Sequence, residues 1–197
     1  MSEQTYDVTT REGFLQRTVE TTDRRVPIRF RDATASHADV SAWCDTYGPG
    51  CPSLLILGPT GVGKTHLAYG ALRTLAAQGI AVKWAALTAP DLYARLRPRD
   101  GIDSEGEFRA IADSELLLLD DLGAAKGSEW TEEINYRLVN HRYDRALPML
   151  ITSNLPAVAA VGKPSLRNAL GERVMSRLTG MCEYVILRGE DRRRSTS

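Results

Sequence analysis

The sequence predicts an α/β fold: a five-stranded, mostly parallel sheet with helices on both faces, arranged around a glycine-rich loop. Three observations predict it. Short apolar runs alternate with longer stretches of helical periodicity along the 197 residues, which is the pattern of strand–helix–strand units. Gly58-Pro59-Thr60-Gly61-Val62-Gly63-Lys64-Thr65 satisfies G-x-x-x-x-G-K-[ST] at every position, directly after one apolar run and at the head of a helical stretch. The polar exceptions, Asp120-Asp121 and Ser153-Asn154, also stand just after apolar runs. In an open parallel sheet, ligands bind beyond those strand ends.

Element by element, residues 12–22 suit a short helix and residues 23–33 are polar without clear period. Ser36 is a plausible cap for a helix reaching about Asp45. Tyr47-Gly48-Pro49-Gly50 breaks the chain before the strand at residues 53–57. Residues 64–78 carry Leu67, Ala71 and Leu75 at helical spacing, and Gly79 ends that helix. A strand is expected at 80–85, then a helix capped by Thr88 with Pro90 in its first turn, then a polar loop at 98–106. Residues 115–119 read as a buried strand, 129–144 as a long helix, and 147–152 as the next strand. Two helical pieces, 165–170 and 172–178, break at Gly171 before a last strand at 183–187. The charged tail is expected to fray.

Composition bounds the function more loosely. Apolar residues make up 43% of the chain, ordinary for a globular domain. No stretch approaches the roughly 18 consecutive apolar residues of a membrane helix, and the first residues lack the pattern of a secretory signal. The expectation is a cytoplasmic protein with no membrane partner. Lys and Arg total 25 and Asp and Glu total 25, which argues weakly against coating duplex DNA by charge alone. Cys44, Cys51 and Cys182 fit neither a disulfide scaffold nor a zinc site and read as free thiols.

The loop carries the chemistry. Its glycines let backbone N–H groups curl around a phosphate, and the helix behind it adds unsatisfied N–H groups and the positive end of its dipole. Lys64 reaches the β- and γ-phosphates, and the Thr65 hydroxyl serves Mg²⁺. Leu116 to Leu119 bury a strand that ends in two adjacent carboxylates, costly unless a positive charge faces them. Asp120 then holds the metal through water, and Asp121 is the base or positioner for an attacking water; the plain alternative is an Asp pair capping a turn. Asn154 either holds that water or simply forms a turn. Arg173 and Arg177 share a helix face four residues apart, either as a solvated stripe or as an arginine finger offered to the nucleotide of a neighbouring subunit.

These residues resemble the AAA+ ATPases of the DnaC/DnaI helicase-loader type, which include the IstB-like transposition helpers. The resemblance rests on residues 58–68 (GPTGVGKTHLA), 116–123 (LLLLDDLG), 151–154 (ITSN) and 170–178 (LGERVMSRL), and it extends over about residues 25–193. It implies an AAA+ core and ATP with Mg²⁺ as cofactors, hydrolysed to ADP and phosphate. The implied nucleotide-binding residues are Gly58, Pro59, Thr60, Gly61, Val62, Gly63, Lys64, Thr65 and His66, with Thr65 and Asp120 on the metal. It makes Arg177 the finger with Arg173 in support, and Asn154 the sensor on the fourth strand. Arg193, or Arg192, becomes a second sensor, and residues 26–31 a lead-in near the adenine. It further implies single-stranded DNA, a replicative helicase and a head-to-tail homo-oligomer dependent on ATP or DNA as partners.

Arg95, Arg97 and Arg99 lie where such loaders carry DNA-contacting elements; a solvated loop is the competing reading. Many relatives carry Glu where Asp121 stands. The expected division is a short N-terminal extension at 1–24, the ATPase domain at 25–190 and a flexible tail at 191–197. The extension is too short for a stable helicase-gripping domain, and the C-terminal lid is expected to be reduced or absent. Helicase loading is the leading expectation, an IstB-like regulator of a transposase on duplex DNA the alternative, and a non-catalytic nucleotide-dependent scaffold the third.

Overall fold

Strand β1 (Ser53–Leu57) lies between β4 (Met149–Ser153) and β5 (Cys182–Ile186) in a sheet whose spatial order is β2-β3-β4-β1-β5, all neighbours parallel. The computed structural model describes residues 10–124, 127–160, 162–189 and 191. The other strands are β2 (Trp84–Thr88), β3 (Leu116–Asp120), β4 (Met149–Ser153) and β5 (Cys182–Ile186). The helices are α1 (Arg11–Arg25), α2 (Ala38–Asp45), α3 (Lys64–Ala77), α4 (Ala89–Leu96), α5 (Ser104–Ala112), α6 (Glu129–Asp144), α7 (Leu166–Leu170) and α8 (Glu172–Met181), with a 3₁₀ turn at Ile28–Phe30. Every pairing is parallel because each crossover carries helix, which is what the strand–helix alternation demands.

The chain divides into two compact units. One comprises the described residues up to Tyr47 with Thr65–Val82; the other comprises Gly48–Lys64 with residues from Lys83 onward. In the second unit Leu55, Leu57, Leu117, Leu119, Met149 and Ile151 project from alternate positions of the three central strands into one core with α4 to α8. Phe108 and Ile111 of α5, Leu138 of α6 and Leu178 of α8 complete it. The intervening Leu54, Ile56, Leu116, Leu118 and Leu150 are also fully buried. Strands buried on both faces read as continuous apolar runs rather than alternating ones, and truncating one such leucine to alanine costs about 2–5 kcal/mol.

In the first unit, Arg73 of α3 donates to the Asp23 carboxylate of α1 at 2.8 Å and to the carbonyl of Ala33 at 2.7 Å. Phe30 stacks on Tyr69 with ring centres 4.9 Å apart. The three cysteines are free thiols. Burial pushes Cys44 and Cys182 up to about 12, the latter against the opposing pull of a hydrogen bond with Ser53. Among the described residues no helix is long and apolar enough to cross a membrane.

Four expectations are corrected. The strand expected at 80–85 is β2 at Trp84–Thr88. Ile80 N–H turns back to the carbonyl of Leu75, and the Lys83 N–H is taken by the Glu115 carboxylate, so pairing starts only at Trp84 opposite Leu116. The polar loop expected at 98–106 already becomes α5 at Ser104, because Asp103 caps it through the Gly106 N–H at 2.8 Å. His37, not Ser36, caps α2: its Nδ1 accepts from the Asp39 N–H. α1 runs three residues past Thr22 and includes Arg24 and Arg25.

Candidate nucleotide site

β4 lies between β3 and β1, so the three polar strand ends meet at one place. The phosphate loop leaves β1 at Gly58 and enters α3 at Lys64. Gly61 and Gly63 adopt φ of +84° and +100°, a region that side chains oppose. A Cβ on Gly61 would also run into the Asp191 carboxylate, and one on Gly58 into the carbonyl of Leu187. Glycine is therefore required here by backbone angle and by space.

Lys64 is 5% exposed. Its ammonium donates to the carbonyls of Gly58 at 2.9 Å and Pro59 at 2.8 Å, and to the Asn154 amide oxygen at 2.6 Å. The Asn154 nitrogen donates to the Asp121 carboxylate at 3.1 Å. These two bonds fix which way the amide points. They also link the loop, the end of β4 and the residue after β3 in one polar chain.

Asp121 sits at φ +56°, rare for a residue with a side chain. Its N–H donates to the Thr152 hydroxyl at 3.0 Å, and that hydroxyl donates to the Asp120 carboxylate at 2.5 Å. Asp120 is 9% exposed. Ser153 donates to the carbonyl of Leu122 at 2.6 Å, and its own carbonyl accepts from the Gly58 N–H at 3.3 Å. The sequence marks Ser153 only as the neighbour of Asn154 in the polar pair after the strand, and gives Thr152 no role. The available signal was a pair of hydroxyls placed inside an apolar strand one step before the asparagine, where burial obliges them to find partners.

The remaining residues fall elsewhere. Thr65 is the second residue of α3 and half-buried. His66 Nε2 lies 3.8 Å from the Asp32 carboxylate. Residues 26–31 belong to the first unit, with Phe30 on Tyr69. Arg192 and Arg193 lie outside the described residues. Arg177 of α8 donates from Nε to Asn140 at 2.7 Å, whereas Arg173 is exposed. Arg95, Arg97 and Arg99 are exposed at the end of α4. The Arg97 guanidinium lies 5.5 Å from the Trp130 ring centre, and Arg99 reaches the carbonyl of Ala94 at 3.4 Å. An open cavity of about 710 Å³ is lined there by Tyr93, Arg97, Arg99 and Trp130.

The residues present fit Mg²⁺ and a triphosphate. The lysine already holds loop carbonyls that phosphate oxygens can replace. The buried Asp120 carboxylate suits a hard cation that keeps waters and phosphate oxygens rather than a full protein cage.

A glycine-rich loop at the exit of a central parallel strand, facing an Asp-Asp pair and a strand-end asparagine, defines a P-loop AAA+ ATP-binding protein. The chain belongs to the family of IstB-like ATP binding proteins, whose model matches residues 47–197. It is 33% identical over 103 residues to an insertion sequence IS5376 putative ATP-binding protein of Geobacillus stearothermophilus, covering 52% of this chain and 40% of that one. It is 28% identical over 144 residues to the insertion sequence IS21 putative ATP-binding protein of Pseudomonas aeruginosa, covering 72% and 52% respectively. The chain thus spans about half the length of these relatives or less. Among solved structures it is similar to the DnaC helicase loader, with a TM-score of 0.70 at 25% identity over 82% of this chain and 100% of that one. The DnaI structure shares the fold, with a TM-score of 0.65 at 23% identity over 85% and 94% of the two chains.

Proposed function

We propose that this chain is a Mg²⁺-dependent ATPase that assembles head-to-tail on DNA and uses its ATP cycle to regulate another DNA-acting enzyme. The chain of contacts from Lys64 through Asn154 to Asp121 carries the reading. It gathers a phosphate-binding cation, an amide able to orient a water and a carboxylate able to take its proton, and all three stand at adjacent strand ends.

In the proposed reaction the N–H groups of Thr60 to Gly63 hold the β-phosphate and Lys64 bridges to the γ-phosphate. Asp121 and Asn154 orient the water. Its oxygen bonds to the γ-phosphorus as the bond to the β–γ bridging oxygen breaks, and its proton passes to Asp121 or bulk water. Asp120, with the Thr65 hydroxyl that the loop motif implies, would hold Mg²⁺, which would neutralise charge on the phosphoryl groups. Arg177 of one subunit reaches the ATP of the next, a contact that builds rings or open helices rather than closed dimers.

For the regulated enzyme, the family and the insertion-sequence relatives favour a transposase on duplex DNA. A second reading, loading of a replicative helicase on single-stranded DNA, is favoured by the likeness to the DnaC helicase loader over the whole of that chain. Phosphate release from Mg·ATP, measured with no DNA, single strands and duplex, tests the common core. Release above the Lys64→Ala level is expected. Nucleotide binding without release under any of these conditions would leave a scaffold. Pull-down in ATP with an insertion-sequence transposase, against a replicative helicase, separates the two partners.

A further inference from the structure

Arg177 is held in a fixed pose by a second helix. Its Nε donates to the Asn140 amide oxygen at 2.7 Å, its Nη1 donates to the carbonyl of Arg173 at 3.2 Å, and its guanidinium carbon lies 5.0 Å from the Tyr136 ring centre. Tyr136 and Asn140 are four residues apart on α6, hence on one face. The pose of Asn140 is itself set, because its amide nitrogen donates to the Asp144 carboxylate at 2.8 Å. The oxygen of that amide must then face the arginine.

A guanidinium has five N–H donors in a rigid plane. Here the Nε edge is tied to Asn140, one Nη1 donor returns to its own helix, and one face lies toward an aromatic ring. Among the described residues, no acceptor is recorded for the two donors on Nη2. Arg177 is half-buried. Arg173, one turn earlier, is exposed and has no side-chain hydrogen bond or ion pair among the described residues. Of the two arginines on α8, the structure fixes one.

We infer that Asn140 and Tyr136 are positioning residues that hold the Arg177 guanidinium ready for a phosphoryl group bound by a second copy of this chain. The inference rests on the reading of Arg177 as a finger acting in trans. An exposed arginine samples many rotamers, and ordering it at the moment of contact has an entropic cost. Tying Nε and one face in advance removes much of that cost and aims the remaining donors. Lysine, with no planar fork, cannot be tied along one edge and one face and still aim a fixed pair of donors.

The experiment measures kcat and KM for ATP in full-length wild type, Arg177→Ala, Asn140→Ala, the double variant, Tyr136→Phe and Tyr136→Leu, with DNA and Mg²⁺. Arg177→Ala is expected to lower kcat at least about 10³-fold, as loss of a finger does. Asn140→Ala is expected to lower kcat about 10- to 100-fold, as misplacement of a reacting group does, with KM within about twofold of wild type. It should lower nothing further in the Arg177→Ala background. Tyr136→Phe keeps the ring and should keep the rate; Tyr136→Leu should not. In nucleotide-free protein, the Arg177 Nε–H resonance should be resolved and slow to exchange. It should collapse toward the bulk arginine signal in Asn140→Ala.

A slow Arg177→Ala beside an Asn140→Ala of wild-type rate and unchanged Nε–H signal overturns the positioning role and leaves the finger standing. An equal loss from Asn140→Ala in both backgrounds also overturns it, since Asn140 then acts otherwise than through Arg177. A wild-type rate in Arg177→Ala removes the finger, and this inference with it.

Discussion

The Lys64 ammonium lies 2.6 Å from the amide oxygen of Asn154, 90 residues away in sequence. The bond joins the loop after β1 to the end of β4, and the same ammonium also donates to Gly58 and Pro59. An arriving triphosphate must compete with these three acceptors for the lysine, and where its oxygens displace the amide as well as the loop carbonyls, Asn154 is released as ATP binds. Once released, the amide is free to turn toward the γ-phosphate or its water.

Lys64→Ala should therefore weaken ATP binding on the order of 100-fold, because it removes a charge-assisted contact worth about 3 kcal/mol from a water-poor site. Asn154→Ala should bind ATP nearly as wild type yet lower kcat by about 10²-fold or more, since it removes a group that orients the nucleophile. Equilibrium binding of a fluorescent ATP analogue, alongside steady-state turnover, checks both. Wild-type affinity in Lys64→Ala would refute the assignment of the loop.

The two aspartates should separate in the same assays. Asp121→Asn keeps size and hydrogen bonding but not the charge, so ATP should remain bound while turnover falls about 10²-fold or more. Asp120→Asn should also raise the Mg²⁺ concentration needed for half-maximal binding. Asp121→Gly relieves a φ of +56°. It should leave stability level or raise it by up to about 1 kcal/mol while abolishing turnover, as expected where strain is retained at a functional position. Equal turnover in Asp121→Asn and wild type would make the pair structural.

The legibility of this chain followed the strength of each local signal. β1 and the loop were readable to the residue, because an apolar run, a glycine-rich motif and a helix start all demand the same boundary. α6 was readable from its long helical period alone; its Ser128 cap and the reciprocal bond with Thr131 emerge only in the structure. α5 was missed because only Phe108, Ile111 and Ala112 mark its face and Gly106 sits inside it. β2 was displaced because Ile80 and Val82 are as apolar as a strand requires, and only pairing with β3 decides where the ladder begins. In the site, Asp120, Asp121 and Asn154 were legible as charge or amide at strand ends. The hydroxyl of Thr152, which holds both aspartates, was hidden because its partners lie 31 and 32 residues away.

The arginines after α4 should contribute affinity rather than specificity if they meet DNA. Arg97 lies over Trp130 at the rim of an open cavity, with Arg99 beside it, an arrangement suited to a phosphate with a stacked base. Replacing Arg95, Arg97 and Arg99 together with Ala should weaken DNA binding and reduce the salt slope by about 0.7 for each lost contact on single strands. Anisotropy titrations at several salt concentrations measure it. An unchanged slope returns all three to solvent.

Arg142 makes the last prediction, and it separates stability from activity. It is fully buried. Its guanidinium donates to the carbonyls of Ala112 at 3.0 Å, Ser114 at 2.9 Å and Pro148 at 2.7 Å, and to the Ser114 hydroxyl at 3.2 Å. Ala112 ends α5, Ser114 precedes β3 and Pro148 precedes β4. One side chain thus satisfies backbone acceptors at the entry of two neighbouring strands, at the opposite end of the sheet from the loop. Burying an arginine is costly, but removing it strands several carbonyls away from water, and each unsatisfied one costs about 1–3 kcal/mol. Arg142→Met keeps much of the volume and none of the donors, so a loss of about 3 kcal/mol is expected. In a chain of this length that corresponds to a fall in Tm of roughly 6–12 °C. Arg142→Lys keeps the charge without the planar fork and should fall between. Because the contacts lie far from Lys64 and Asp121, kcat at a temperature where the variant is folded should match wild type. Thermal unfolding and turnover on the same preparations decide it: a Tm within about 2 °C of wild type, less than the shift from 1 kcal/mol, would mean that water or a shifted backbone replaces the guanidinium.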